Sequence, residues 1–320
     1  MANEPAYGSS SPRKLTGVAG LLGALRNLGL IRVGLDRRGR LGSFTAGDGQ
    51  SIPLHVQGSG LPVLLVHGLG CSHAYWRRVA RRLAHRHRVF AWDARGHGAC
   101  RVAHDAPITL ARLAHDIADL LDFFRLERAV LVGHSMGALA VLQYLHDHGT
   151  ARVAAVGIVD QSPRIVTDAE WRLGLFGDCS ATLLTQLIAG ARENLADTVL
   201  REVEAACGDW LRRRLGPDTA LGRWLRARLR RLDVAPLLEL CASLVAADFR
   251  ALLPRLDVPL LVVLGGRSAH YGSLPLDAYY RRAVPHARVL RYARSGHSPH
   301  YAEPARFARD LAAFVAEHWH

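Results

Sequence analysis

The chain has 320 residues, 49% of them hydrophobic, and carries a formal net charge of +13. That length is ample for one large core with an inserted subdomain, and no apolar stretch is long enough to cross a bilayer as a helix. Lys14 is the only lysine, so the positive balance is an arginine bias; without a nucleic-acid motif or aromatics interleaved with the basic residues, it argues against a nucleic-acid partner.

Residues 1–14 are rich in Ala, Pro, Gly and Ser and read as disordered. Leu15 to Gly34 reads as an amphipathic helix, because Arg26, Asn27 and Arg32 interrupt its apolar residues and no small-residue cleavage site follows. Residues 1–41 are therefore taken as an N-terminal extension. Two short strands, Gly42 to Ala46 and Ile52 to Val56, flank the hairpin turn Gly47-Asp48-Gly49-Gln50. Pro62 to Val66 is a continuous apolar run, as in a strand buried on both faces, and ends in His67-Gly68-Leu69-Gly70. A helix is expected from Tyr75 to Ala84, then a buried strand from Arg88 to Trp92, ending in Asp93-Ala94-Arg95-Gly96-His97-Gly98. Leu110 to Phe124 has apolar residues at Leu110, Leu113, Ile117, Leu120 and Leu121, the spacing of an amphipathic helix.

Ala129 to Val132 is the next buried strand, followed by Gly133-His134-Ser135-Met136-Gly137 and helical sequence to about His146. Strand, sharp turn and helix with a serine at the tip is a nucleophile elbow. Gly133 and Gly137 supply the space that so tight a turn needs. Val153 to Val159 is a further strand, ending at Asp160. From Gln161 the rhythm changes to helical sequence with breaks at Gly208, Gly216-Pro217 and Pro236, read as an inserted helical cap over 162–245. Strands resume at Pro259 to Leu264 and Ala287 to Tyr292, and a helix around Pro304 to His318 closes the chain. The alternation implies an α/β fold with a mostly parallel sheet covered on both faces. The core is then 42–161 with 246–320. In such sheets ligands sit at the C-terminal strand ends. His67-Gly68, the Asp93 to Gly98 loop, Ser135 and Asp160 all lie there.

The five cysteines, Cys71, Cys100, Cys179, Cys207 and Cys241, are odd in number and irregularly spaced. They read as reduced thiols of a cytoplasmic protein, with neither a disulfide framework nor a zinc site. His67, Asp93, Arg95 and His97 match no metal-site spacing, so no metal or organic cofactor is expected.

The motifs His67-Gly68, Asp93 to Gly98, Gly133 to Gly137, Val258-Pro259 and Ser295-Gly296-His297 occur in the order found in the α/β-hydrolase superfamily, which the chain resembles over roughly residues 42–318. The resemblance implies an α/β-hydrolase fold with an eight-stranded sheet and a helical cap. It makes Ser135 the nucleophile and His297, in the loop after the last strand, its base, with His300 as fallback. The Leu69 and Met136 backbone N–H groups would form the oxyanion hole. Most members carry the acid after the seventh strand, but that register holds Ser268, and the loop to Ser273 has no carboxylate. Asp160, at the end of the strand beside the nucleophile, is the expected substitute, since a triad is defined by geometry.

His134, Trp76, Trp171 and Phe176 are expected to bind substrate. The expected activity is a serine hydrolase of the esterase or thioesterase kind, cleaving a carboxylic ester, lactone or thioester. Carbon–carbon bond hydrolysis or acyl transfer by the same triad is the alternative, and a non-catalytic binding module of the same fold is the rival from another class. The expected partner is a small acyl substrate. Arginines across the cap, from Arg212 to Arg231, raise an acidic carrier protein or coenzyme A thioester as a further partner. No stable membrane insertion is expected.

Overall fold

The computed structural model describes residues 41–102, 107–207, 213, 216–229 and 235–318. The helix expected within the N-terminal extension lies outside the described residues, as do Trp210, Arg212, Arg214, Arg230 and Arg231 of the cap.

Eight strands form one sheet: β1 (Leu41–Thr45), β2 (Ser51–Gln57), β3 (Leu61–Val66), β4 (His87–Trp92), β5 (Ala129–His134), β6 (Val153–Val159), β7 (Leu260–Gly265) and β8 (Arg288–Tyr292). Their spatial order is β1-β2-β4-β3-β5-β6-β7-β8. β1 and β2 pair antiparallel, β2 runs antiparallel to β4, and every later pairing is parallel. β5, β6 and β7 are buried along their whole length. Strands covered on both faces cannot alternate apolar and polar residues, and these read as unbroken apolar runs.

The pleat divides those runs between two cores. Leu64, Val66, Phe90 and Leu131 face one side, where they pack with Leu113, Ile117 and Leu120 of α2 (Leu110–Phe123) and Leu139 and Leu142 of α3 (Met136–His148). Val63, Leu65, Val89, Ala91, Val130 and Val132 face the other side, with Val79 and Leu83 of α1 (Arg77–Leu83) and Phe307, Leu311 and Phe314 of the C-terminal helix (Pro304–His318). At the start of α2 the Thr109 side chain accepts from the Arg112 N–H at 3.1 Å, a helix cap placed where the apolar spacing begins.

Between β6 and β7 the chain is helical: α4 (Ala181–Cys207), α5 (Ala220–Leu229) and α6 (Ala235–Ala246). Asn194 breaks α4 with non-helical angles (φ −153°, ψ 87°), and its side-chain oxygen accepts from the Asp197 N–H at 3.1 Å, capping the second half. A helix not expected from sequence, α7 (Leu276–Ala283), crosses between β7 and β8. Between β8 and the C-terminal helix, here α9, lies one short turn, α8 (Pro299–Ala302). Among the described residues no helix is long and apolar enough to cross a membrane.

Candidate active site

Four parallel strand ends carry the residues singled out from sequence, and the sheet sets them side by side. His134 pairs with Val159 across β5 and β6, so Ser135 and Asp160 occupy the next positions on adjacent strands. The Ser135 N–H donates to the Val159 carbonyl at 3.1 Å, and the Asp160 N–H to the Val263 carbonyl at 2.8 Å. Ser135 (φ 54°, ψ −123°) is the N-cap residue of α3, yet its hydroxyl makes no capping bond. Its side chain is therefore not consumed by the helix it starts. The Met136 N–H lies at the first residue of that helix, where the dipole favours negative charge.

The elbow works because its neighbours are bare backbone. A Cβ at Gly133 would overlap the Gly137 carbonyl, and one at Gly137 would overlap the carbonyls of Val66 and His67. Gly68 is as confined: a Cβ there would lie 2.8 Å from His134 Nδ1 and 3.2 Å from the Ser135 Cβ. The loop bearing Leu69 is thus drawn against Ser135. His67 fixes that loop. The Ala94 N–H donates to His67 Nε2 at 3.0 Å, so the ring hydrogen sits on Nδ1 and is donated to the Gly68 carbonyl at 2.8 Å. Complete burial holds His67 below its ordinary pKa and keeps it neutral.

Asp160 is fully buried and accepts three hydrogen bonds. Its Oδ1 accepts from the Gly265 N–H at 2.7 Å; its Oδ2 accepts from the Ser268 hydroxyl at 2.6 Å and faces His297 Nδ1 at 2.7 Å. Burial alone raises its pKa, and the donors from Ser268 and Gly265 oppose that by favouring the carboxylate. With Nδ1 donating to Asp160, His297 keeps Nε2 as its acceptor nitrogen. Burial shifts His297 towards the neutral ring. The His297 carbonyl accepts from His134 Nε2 at 2.8 Å, which ties the base loop to the elbow.

The other expected site residues are placed as follows. Leu69 is 40% exposed beside Gly68. His134 is buried, with ring centroids 4.7 Å from His297 and 4.6 Å from His300. Phe176 is 51% exposed, its ring 5.2 Å from His270, and its N–H donates to the His270 carbonyl at 3.0 Å. His270 in turn meets His297 edge to face at 4.0 Å. Phe176 thus reaches His297 through His270, a residue not singled out from sequence.

Two expectations need correction. Trp76 is wholly buried against His300 (3.9 Å between ring centroids) and Phe307 (5.8 Å), a core residue under the sheet edge and not a pocket wall. Trp171 donates from Nε1 to the Arg164 carbonyl at 3.0 Å and packs against Tyr279 and Arg250, and the open cavity it lines with them, Asp248 and Ala251 includes none of Ser135, Asp160 and His297. His300, the fallback base, is fully buried, and among the described residues neither ring nitrogen has a hydrogen-bond partner. No carboxylate orients it, whereas one orients His297.

The acidic and basic groups after β4 are engaged in structure. Asp93 accepts from the His73 N–H (2.6 Å), His73 Nδ1 (2.8 Å) and the Ala99 N–H (2.8 Å). Arg95 grips Asp116 through two nitrogens at 2.8 and 2.7 Å and reaches Asp48 at 2.7 Å. Ser268 and His270 were missed as contributors; the signal available was a hydroxyl standing in the register of the usual acid.

Residues 63–310 match the family described as "Alpha/beta hydrolase family". The chain belongs to the α/β-hydrolase family. Among curated relatives, 3-oxoadipate enol-lactonase 1 of Acinetobacter baylyi is 22% identical over 286 residues, covering 85% of this chain and 96% of that protein. Pimeloyl-[acyl-carrier protein] methyl ester esterase of Vibrio vulnificus is 27% identical over 276 residues, covering 83% and 100%. Among solved structures, an esterase from Exiguobacterium antarcticum superposes with a TM-score of 0.69 at 20% identity, covering 87% of this chain and all of that one.

Proposed function

We propose that this α/β-hydrolase is a serine hydrolase that cleaves a carboxylic ester, lactone or thioester through an acyl-enzyme on Ser135. The observation that carries the reading is the 2.7 Å contact between His297 Nδ1 and a buried Asp160 that also accepts from the Gly265 N–H and the Ser268 hydroxyl. The Asp160 carboxylate fixes the tautomer that leaves Nε2 free to take a proton. Ser135 attacks the carbonyl carbon as His297 takes the hydroxyl hydrogen. The N–H groups of Leu69 and Met136 receive the oxyanion; each such donor is typically worth about 10²–10³ in rate. The imidazolium protonates the leaving group, then His297 activates the water that releases the acid.

A lactonase and a methyl ester esterase among the relatives support hydrolysis of an acyl–oxygen bond. Helices of the 162–245 insertion form the cap that bounds the acyl side, with Phe176 at its near edge. The test is labelling by a fluorophosphonate and turnover of short-chain p-nitrophenyl esters, lactones and acyl thioesters. Labelling that disappears in Ser135→Ala supports the reading; intact protein that neither labels nor turns over any of them sinks it, and with it leaves the binding-module rival standing.

A carrier-linked substrate is favoured by one further observation, the net charge of +13. An acidic carrier would be steered to such a surface, and the attraction would weaken as salt rises. The kcat/KM for an acyl-carrier substrate should then fall steeply between low and high salt while that for a neutral ester stays level. Equal salt dependence for both removes the carrier.

A further inference from the structure

We infer that Ser268 is a positioning residue that stands in the register of the missing acid and aims the Asp160 carboxylate at His297. The inference rests on the proposed serine hydrolase reading and extends it to a residue outside the triad.

The hydrogen bonds at Ser268 leave one arrangement. A serine hydroxyl has one hydrogen to donate and two lone pairs to accept. The N–H groups of His270 (3.2 Å) and Tyr271 (3.3 Å) both point at Ser268 Oγ, and a backbone N–H can only donate. Both lone pairs are thereby filled, and the hydroxyl hydrogen goes to Asp160 Oδ2 at 2.6 Å. The residue is 6% exposed, so water does not compete for these bonds. His297 Nδ1 uses the same carboxylate oxygen at 2.7 Å. With Gly265 holding Oδ1, Asp160 has two donors that stay in place whatever the protonation state of His297. They fix the plane of the carboxylate before the base becomes charged, when fixed orientation contributes most.

The same oxygen secures the turn that presents His270. The His270 ring lies edge to face with His297 at 4.0 Å, and its carbonyl receives the Phe176 N–H. Ser268 therefore joins three things: the acid, the wall beside the base, and the near edge of the insertion between β6 and β7. A carboxylate in its place would crowd Asp160; a hydroxyl supplies a donor to it without adding charge.

Removing the hydroxyl has a directional consequence. Asp160 loses a donor that favours its ionised form, so the Asp160–His297 pair binds its first proton more readily. The acid limb of the kcat/KM profile then moves to higher pH. A residue that merely filled space would leave that limb where it was.

The experiment compares the full chain with Ser268→Ala, Ser268→Thr and Ser268→Cys, using p-nitrophenyl butyrate from pH 4 to 9 and fluorophosphonate labelling in parallel. For Ser268→Ala we expect kcat down about tenfold, KM within about twofold, and the acid limb raised by about one to two pH units, the size of one hydrogen bond to a charged group. Ser268→Thr keeps the hydroxyl and should keep both rate and limb. Ser268→Cys, a weak donor of similar shape, should fall between and serves if the alanine variant does not fold. A wild-type limb in Ser268→Ala or Ser268→Cys, or a threonine variant as impaired as alanine, overturns the inference while the serine hydrolase reading stands. A wild-type chain that neither labels nor hydrolyses overturns both.

Discussion

Ser135 and Asp160 follow neighbouring strands, at the next positions after His134 and Val159, which pair across β5 and β6. Both have a positive φ, which side chains avoid, of 54° and 48°. Such geometry costs roughly 1–3 kcal/mol per residue and persists only where the surroundings impose it. At Ser135 the imposing groups are the Val159 carbonyl that accepts its N–H and the start of α3.

Strain at the nucleophile should be visible in stability. Ser135→Gly relieves it and Ser135→Ala does not. In urea unfolding the glycine variant is expected to be at least as stable as the alanine variant, although glycine ordinarily costs about 0.5–1 kcal/mol relative to alanine in a helix or strand. A glycine variant less stable by that full amount would show that the turn is not strained.

Asp160→Asn should lower kcat by about 10³–10⁴, the scale seen when a triad carboxylate becomes an amide. The amide must donate where the carboxylate accepted, so either the Gly265 N–H loses its acceptor or the Ser268 hydroxyl and His297 Nδ1 lose theirs together. Unfolding should cost roughly 1–3 kcal/mol less than in the wild type. Near-wild-type turnover would remove Asp160 from the mechanism. Adding Ser268→Asp to Asp160→Asn should restore part of kcat, because Ser268 Oγ already touches the oxygen that His297 uses.

Activity should survive mild acid. Burial favours the neutral His297 ring, placing its pKa below the ordinary 6.5. Burial also raises Asp160 to about 6, and the acid limb begins when the Asp160–His297 pair takes its first proton, so kcat/KM stays level as pH falls through neutrality and declines as pH approaches 6. A pH profile measured on a neutral ester checks this, and a decline already complete at pH 7 would contradict it.

The elbow should tolerate no side chain at Gly137. The atoms a new Cβ would meet are the carbonyls of Val66 and His67, main-chain groups of β3 and its loop that cannot swing aside. Gly137→Ala is expected to lose more than about 3 kcal/mol of stability or to accumulate as insoluble protein. A soluble variant with an unchanged melting temperature would mean that the strand and helix meet less closely.

Thiol reagents should leave turnover intact. Burial pushes the Cys71 thiol up to about 12 and Cys241 to about 11. At pH 8 almost no thiolate forms, and the thiolate is the reactive species. Iodoacetamide treatment of the folded protein followed by an ester assay tests this; rapid inactivation would bring Cys71, beside the Leu69 loop, into the chemistry.

What the sequence disclosed followed from how each element is stabilised. β3, β5, β6 and β7 were legible because burial on both faces demands unbroken apolar runs. Ser135, Asp160 and His297 were legible because strand ends are punctuated by glycine and polar residues. α7 was not, since only Leu276 and Tyr280 of its eight residues are buried. Trp76 misled because an aromatic after a strand-end loop suits a pocket as well as a core, and only its contact with His300 and Phe307 decides. Ser268 looked like a vacancy because a hydroxyl's role depends on which acceptor faces it, and that acceptor lies 108 positions away.

The hydrogen bond from His134 Nε2 to the His297 carbonyl spans 163 positions of sequence. Ser135 and Asp160 are both present by residue 160, but His297 arrives with the last strand and its loop. A growing chain can therefore close β3 to β6 and form the elbow while still unable to activate Ser135. Contacts of such long separation are slow to form, so recovery of ester turnover during refolding should trail the return of helical signal. On the proposed mechanism, catalysis becomes a proofreader of completion: only a molecule whose far end has docked would react.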